Sequence, residues 1–311
     1  FVGSRGLGDV YKRQSKCLTV WESSLKTLCL MTLAVKHFLK LLLPLVLFSC
    51  SANDELSIFQ GEAYGTTWQV KFYETETKVN KDYLLKTIQQ ELKRIDSIFS
   101  LYDENSTISK VNSGAWPSWT FYPGQEDYEK LSDISKRIKE KSNGTFEVYF
   151  DGKWDFNSIA KGYAVDKVSE ILRLNNLQNF MVEIGGEIRF EGKKLDSSWK
   201  FAVINPTLEK KLYSEFFVPE SLSVATSGNY RNPGHIINPI NKVAVESDLL
   251  SVSVIDILST AKADAWATAL YASENDWLKK ANNEKIAAFF IYKDTNEIKS
   301  ISSEKWLELI N

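Results

Sequence analysis

Thr67-Trp68-Gln69-Val70-Lys71-Phe72-Tyr73 alternates bulky and polar side chains, as a half-buried strand does. The stretch from Lys81 to Phe99 then sets Leu84, Leu85, Ile88, Leu92, Ile95 and Phe99 at helical spacing. A strand running into a long amphipathic helix fixes the class as α+β, and the rest of the chain keeps that mixture. Residues 100–125, rich in Ser, Asn, Gly and Pro, read as loop; a helix follows from about Asp127 to Lys141 and stops at Asn143-Gly144. Phe146 to Phe156 is strand-like or irregular. Ile159 to Leu174 is helical, and Gly162 near its start marks a close backbone approach. Phe180 to Ile184 reads as a strand ending in Gly185-Gly186, with further strands at residues 188–190, 199–204 and 222–226. A strand to Ile255, helices at about 260–273 and 274–281, and a strand at 286–292 complete the pattern. With no internal repeat and no long linker, residues 58–311 are expected to form a single domain of mixed α and β elements.

The chain has 311 residues, 43% of them hydrophobic, so a sizeable core forms without covalent staples. Its net charge of -2 gives no basic stripe, which argues against nucleic acid as a partner. Nine Trp suit a protein that holds flat rings, although core packing accounts for most such residues.

The N-terminal part reads differently. Asp9-Val10-Tyr11-Lys12-Arg13-Gln14 resembles the in-frame translation of a transposon-type sequencing adapter, and residues 1–30 are expected to lie outside the fold. From Met31 the pattern becomes that of a signal peptide over residues 31–49, with Lys36 and Lys40 ahead of the short apolar run 41–48. That run is too short to span a bilayer. It ends in Leu47-Phe48-Ser49-Cys50, which resembles a bacterial lipoprotein processing box, with Cys50 as the lipidated residue and 50–57 as a tether. The expected location is the cell envelope, lipid-anchored and facing the periplasm. The three cysteines are Cys17, Cys29 and Cys50, and the two histidines are His37 and His235. After processing only Cys50 and His235 remain, which excludes disulfides, Cys-rich zinc sites and Cys-His nucleophilic pairs. A metal would be held by oxygen ligands, the choice of a hard cation such as Mg²⁺.

Three segments carry chemistry. In Ala263-Asp264-Ala265-Trp266-Ala267-Thr268-Ala269-Leu270, Asp264 and Thr268 lie one helical turn apart on one face. A carboxylate and a hydroxyl so placed form a hard-oxygen pair for Mg²⁺, although a helix-start Asp and a back-bonded Thr give the same spacing. Asp155-Phe156-Asn157-Ser158-Ile159-Ala160-Lys161-Gly162 sets an acid, two small polar residues and a lysine around a helix start, where anions bind and where local capping is equally common. Lys161 could complement a phosphate, and Asp155 could hold a ribose hydroxyl or an adenine amine. Ala225-Thr226-Ser227-Gly228-Asn229-Tyr230-Arg231 leaves a strand into a turn, followed by His235-Ile236-Ile237-Asn238-Pro239. An imidazole is suited to take a proton from an incoming hydroxyl, and a lone His is as often structural.

In order along the chain these segments resemble the FAD:protein FMN transferase family, the ApbE-type flavin transferases. The resemblance rests on Gly65-Thr66-Thr67-Trp68, Phe99-Ser100-Leu101-Tyr102, Gly144-Thr145-Phe146-Glu147, Asp155 through Asp166, Glu183-Ile184-Gly185-Gly186, Ala225 through Tyr230, His235 through Pro239, and Ala263 through Thr268. It implies a single α+β domain with FAD in a cleft, and Mg²⁺ held by Asp264, Thr268 and a backbone oxygen near Ser158. It also implies FAD contacts from Tyr64, Tyr102, Thr145, Phe146, Glu147, Asp155 and Lys161, with His235 as the catalytic base. Glu147 stands where the family usually has Asp, and Tyr64 where Met is common. After Pro239 the family often shows Thr-Gly, whereas Ile240-Asn241-Lys242-Val243 follows here. The implied reaction moves FMN from FAD to a Thr or Ser hydroxyl of an acceptor protein and releases AMP. By analogy the acceptor is a membrane-bound redox subunit. Hydrolysis of FAD to FMN and AMP, or flavin binding without chemistry, are the alternatives.

Overall fold

The computed structural model describes residues 55–74, 78–117, 122–208, 211–230 and 232–310. The segment at 1–30, the signal peptide at 31–49 and Cys50 lie outside the described residues. The chain opens with a hairpin of β1 (Leu56–Ala63) and β2 (Thr66–Tyr73), followed by α1 (Lys81–Phe99), α2 (Thr107–Asn112) and α3 (Gln125–Lys141). A short ribbon of β3 (Tyr149–Phe150) and β4 (Lys153–Trp154) leads to α4 (Ala160–Leu174). Then come β5 (Asn179–Ile184), β6 (Glu187–Glu191), β7 (Lys200–Ile204), β8 (Leu212–Phe217) and β9 (Leu222–Ser227). The last part runs β10 (Ile237–Asn238), β11 (Val243–Ala244), β12 (Leu249–Asp256), α5 (Thr260–Tyr271), α6 (Trp277–Asn283), β13 (Ala287–Asp294), β14 (Glu297–Ser302) and α7 (Glu304–Ile310).

Eight of these strands form one antiparallel sheet in the order β1-β2-β5-β6-β9-β12-β13-β14. Because side chains alternate across a strand, each central strand feeds two cores. Val70, Phe72, Phe180, Val182, Val252, Val254 and Phe290 point into the larger core, which the helices α1, α4 and α5 close. Tyr73, Met181, Phe190, Phe289 and Ile291 point the other way, against Trp199, Phe201 and Val203 of the β7–β8 region and Trp306 of α7. Burial on both faces explains why the central strands read as nearly continuous apolar runs.

Several elements differ from the sequence expectation. Strand β1 begins at Leu56, inside the segment expected to be tether. Residues 100–125, expected to be loop, contain the six-residue helix α2, started by Ser106, whose hydroxyl accepts from Ser109 N at 3.1 Å. So short a helix shows no apolar period, and its Ser/Thr capping chemistry is the same that marks loops. The strand expected at 199–204 pairs with β8 outside the main sheet, as a separate lid over the second core.

Candidate functional site

Helix α5 lies in the centre of the molecule. Of its residues only Lys262 and Thr268 are half-buried; the rest are buried, Asp264 among them. Ala261, Ala263, Ala265, Ala267 and Ala269 make it thin enough to sit among α4, β9 and β12. A helix that is apolar all round belongs in a core, so a buried carboxylate within it needs an explanation.

Part of the explanation is that α4 and α5 cap one another. The N-cap position of α4 is Ile159, which has no side-chain acceptor. The missing acceptor comes from α5: Asp264 Oδ2 receives the Gly162 N–H at 3.0 Å. In return, Asp166 of α4 receives the N–H groups of Thr260 at 2.7 Å and Ala261 at 3.1 Å, and the Ser259 hydroxyl at 2.8 Å. Both helix starts thus have their unpaired donors satisfied from the opposite helix. The close approach expected at Gly162 is real: a Cβ there would lie 2.5 Å from the Thr260 carbonyl oxygen.

Capping uses one oxygen of Asp264. The other makes no hydrogen bond among the described residues. Burial holds this carboxyl well above the usual carboxylate range, and the Glu187 charge pushes it further, against the opposing pull of Lys161 and the Gly162 bond. Glu187 follows the Gly185-Gly186 turn and ion-pairs with Lys161 at 2.8 Å. Its Oε2 is sealed from solvent with no hydrogen-bond partner among the described residues. One turn along α5 from Asp264, the Thr268 hydroxyl lies 3.2 Å from the Ser227 hydroxyl at the end of β9. Asp155 is folded into an Asx turn, accepting from Asn157 N at 2.8 Å, and Ser158 is half-buried in the loop that enters α4. The segments holding Asp155, Ser158, Lys161, Glu187, Asp264, Thr268 and Ser227 are therefore joined by direct bonds or by one turn of chain.

The other expected site residues are placed as follows. His235 is exposed, and its Nδ1 lies 2.5 Å from the Asn232 carbonyl oxygen. A carbonyl only accepts, so Nδ1 carries a proton in this contact, which leaves Nε2 as the nitrogen that can meet another partner. The β10–β11 hairpin that follows is fastened to the end of α5 by Asn238, which donates to Ala272 O at 3.3 Å and to Glu274 at 3.1 Å. Where the family often has Thr-Gly, the turn puts Lys242 at φ 64 and closes with Lys242 N on Asn238 O at 2.9 Å. The Thr145 hydroxyl donates to Ala269 O at 2.9 Å, so it anchors α5. Phe146 is buried in the larger core, and its ring is unavailable to a ligand. Glu147 accepts from the N–H groups of Val148 and Tyr149 and pairs with Lys139. The Tyr64 hydroxyl donates to Leu92 O at 2.8 Å, from a hairpin turn in which Tyr64 and Gly65 are both left-handed. Tyr102 is 93% exposed, a side chain free to meet a ligand.

Sequence reasoning missed Glu187, Asp166 and Ser227 as parts of the site. Glu187 carried one signal, an acid directly after a Gly-Gly turn that ends a buried strand. Among the described residues no three His, Cys, Asp or Glu side chains gather into a metal site. Burial raises both carboxyls, and an oxygen on each of Asp264 and Glu187 that makes no hydrogen bond among the described residues fits an added positive charge.

The ApbE family model matches residues 64–153 and 151–290. A FAD:protein FMN transferase of Vibrio cholerae is 25% identical over 84% of this chain and 95% of the relative. One of Haemophilus influenzae is 26% identical over 86% of this chain and 95% of the relative. Among solved structures, the flavinyl transferase ApbE of Pseudomonas stutzeri in its apo form superposes with a TM-score of 0.72 at 27% identity, covering 83% of this chain and 97% of that one. The flavin transferase ApbE of Vibrio cholerae shares the fold, with a TM-score of 0.72 at 23% identity, over 83% of this chain and 100% of that one. The match runs through both caps, the Gly-Gly turn and the buried helix, and the chain belongs to the ApbE family.

Proposed function

We propose that this chain transfers FMN from FAD to a Thr or Ser hydroxyl of an acceptor protein and releases AMP, with Mg²⁺ as the metal. The observation that carries the reading is the buried Asp264, one oxygen spent on Gly162 and the other making no hydrogen bond among the described residues, one turn from Thr268 and within the field of Glu187 and Lys161. The names of the relatives, FAD:protein FMN transferase, support the same chemistry. Asp264, Thr268 and a backbone oxygen near Ser158 would hold Mg²⁺, which supplies charge neutralisation at the pyrophosphate when bound. Lys161 stands at the start of α4 to meet the phosphates, with Asp155 beside that entry. His235 Nε2 takes the proton of the attacking hydroxyl as its oxygen bonds to the FMN-side phosphorus and the bond to AMP breaks. The exposure of His235 suits an acceptor that is itself a protein.

Purified protein incubated with FAD, Mg²⁺ and a candidate acceptor tests this. Flavin fluorescence travelling with the acceptor on a denaturing gel supports transfer; free FMN alone means hydrolysis, and bound FAD left intact means flavin binding without chemistry. His235→Asn is expected to slow transfer by roughly 100-fold or more while FAD binding stays within about twofold. An unchanged rate removes the base role.

The processing box at Leu47-Phe48-Ser49-Cys50 supports anchoring through Cys50 to a bacterial membrane, facing the periplasm, where a membrane-bound redox subunit would be the acceptor. Cys50→Ser is expected to move the protein from the membrane fraction to the soluble one. Retention in the membrane fraction would count against the anchor.

A further inference from the structure

Glu187 is the first residue of β6, and its side chain is 3% exposed. One of its oxygens binds Lys161 at 2.8 Å, and the other is buried with no hydrogen-bond partner among the described residues. A half-satisfied carboxylate is a costly thing to keep in a protein interior, and a Gln of the same shape would leave no charge to bury. The local charges show what the acid does. Asp166 accepts from three donors at the start of α5, and Glu183 accepts the Gly186 N–H; the charges acting on Asp264 are Glu187 and Asp166, which oppose its ionisation, and Lys161, which favours it. Lys161 is ion-paired with Glu187 at 2.8 Å, so its pull on Asp264 is shared with a second acid. Without Glu187, the same lysine would neutralise Asp264.

We propose that Glu187 is a positioning residue: by binding the Lys161 ammonium it reserves the Asp264 carboxylate for a divalent cation. The inference rests on reading Asp264 and Thr268 as metal ligands, and it explains why an acid with an empty oxygen is kept under the Gly-Gly turn. Lys161 is thereby held at the mouth of α4 as a phosphate contact, and it does not compete for the metal position. The charge logic is signed. Removing Glu187 leaves a surplus positive charge near the metal position, removing Lys161 leaves a surplus negative one, and removing both restores the balance.

The test is Mn²⁺ titrated into the FAD-saturated protein, with free Mn²⁺ counted by its electron paramagnetic resonance signal and folding checked by thermal unfolding. Glu187→Gln is expected to weaken Mn²⁺ binding about tenfold or more, and Lys161→Gln to tighten it, because a unit charge a few ångströms from a divalent ion in a protein interior acts on that scale. The double variant Glu187→Gln/Lys161→Gln should return to within about threefold of wild type. Unchanged affinity in both single variants overturns the proposal, as does a double variant no better than Glu187→Gln, which would assign the loss to packing. Should Glu187→Gln fail to fold, Lys161→Gln at its one-third exposed site decides alone: affinity equal to or weaker than wild type overturns the proposal. Wild-type protein that holds no Mn²⁺ removes the metal reading itself, whereas wild-type binding with all variants unchanged removes only the role of Glu187.

Discussion

Asp264→Asn is expected to reduce flavin transfer by about a thousandfold or more while the protein stays folded. The substitution keeps the shape of the side chain and an oxygen to receive the Gly162 N–H, so the cap on α4 survives. What it removes is the charge. In wild type that charge is opposed first by burial and then by Glu187, so the fold favours the protonated carboxyl. The sign of the linkage follows: stability is full below the ordinary carboxyl value of 3.8 and declines as pH rises through the raised folded value. Asn cannot ionise, so the variant should show a shallower loss of thermal stability above that pH, and near neutrality it should be no less stable than wild type. Mg²⁺ should raise the unfolding temperature of wild type and leave the variant unmoved. Wild-type transfer by Asp264→Asn would remove the metal role, and a large loss of stability would make the residue a structural cap.

Much of the fold was legible because each sheet strand carries its own period. Thr67 to Tyr73 and Phe180 to Ile184 were each legible as strands, and the structure pairs them with Val70 opposite Val182. Strands with weaker patterns were missed: β8 and β14 are largely exposed, and their side chains lack a buried set to alternate against. The register of Asp264 and Thr268 was also legible, since helical spacing fixes a shared face. What no local pattern could give was the partner of each. Asp166 looks like an ordinary helix-interior acid, and its function as a cap appears only when a helix start 94 residues away is brought against it. Glu187 carries only its place after the Gly-Gly turn, which does not by itself mark it as buried. Thr145 and Phe146, expected as FAD contacts, also serve the fold, the Thr145 hydroxyl donating to Ala269 O and the Phe146 ring lying in the larger core. These are residues that hold α5 in place, a task that a motif and a ligand contact mark in the same way.

A strong structural demand falls on Gly162, where Gly162→Ala is expected to cost about 3 kcal/mol and to lower transfer even at temperatures where the variant is folded. Helix propensity alone argues the reverse, since Ala in a helix is favoured over Gly by about 1 kcal/mol, and Gly162 has no left-handed backbone to require glycine. Sterics decide. A Cβ would meet Thr260 O at 2.5 Å, Thr260 C at 2.7 Å and Ala261 Cα at 2.9 Å, all backbone atoms that cannot rotate away. The helices must separate, and separation stretches both caps at once: Gly162 N to Asp264, and Thr260 N and Ala261 N to Asp166. Overpacking of about 1–3 kcal/mol and a cap of about 1 kcal/mol at each helix start outweigh the propensity gain. The unfolding temperature should fall by roughly 5–10 °C. Activity should fall with it, because the same movement shifts Asp264 relative to Lys161, and excess Mg²⁺ should not restore the rate. A variant as stable and active as wild type would mean that α4 and α5 do not touch at this point, and the mutual capping that places the Asp264 carboxylate would go with it.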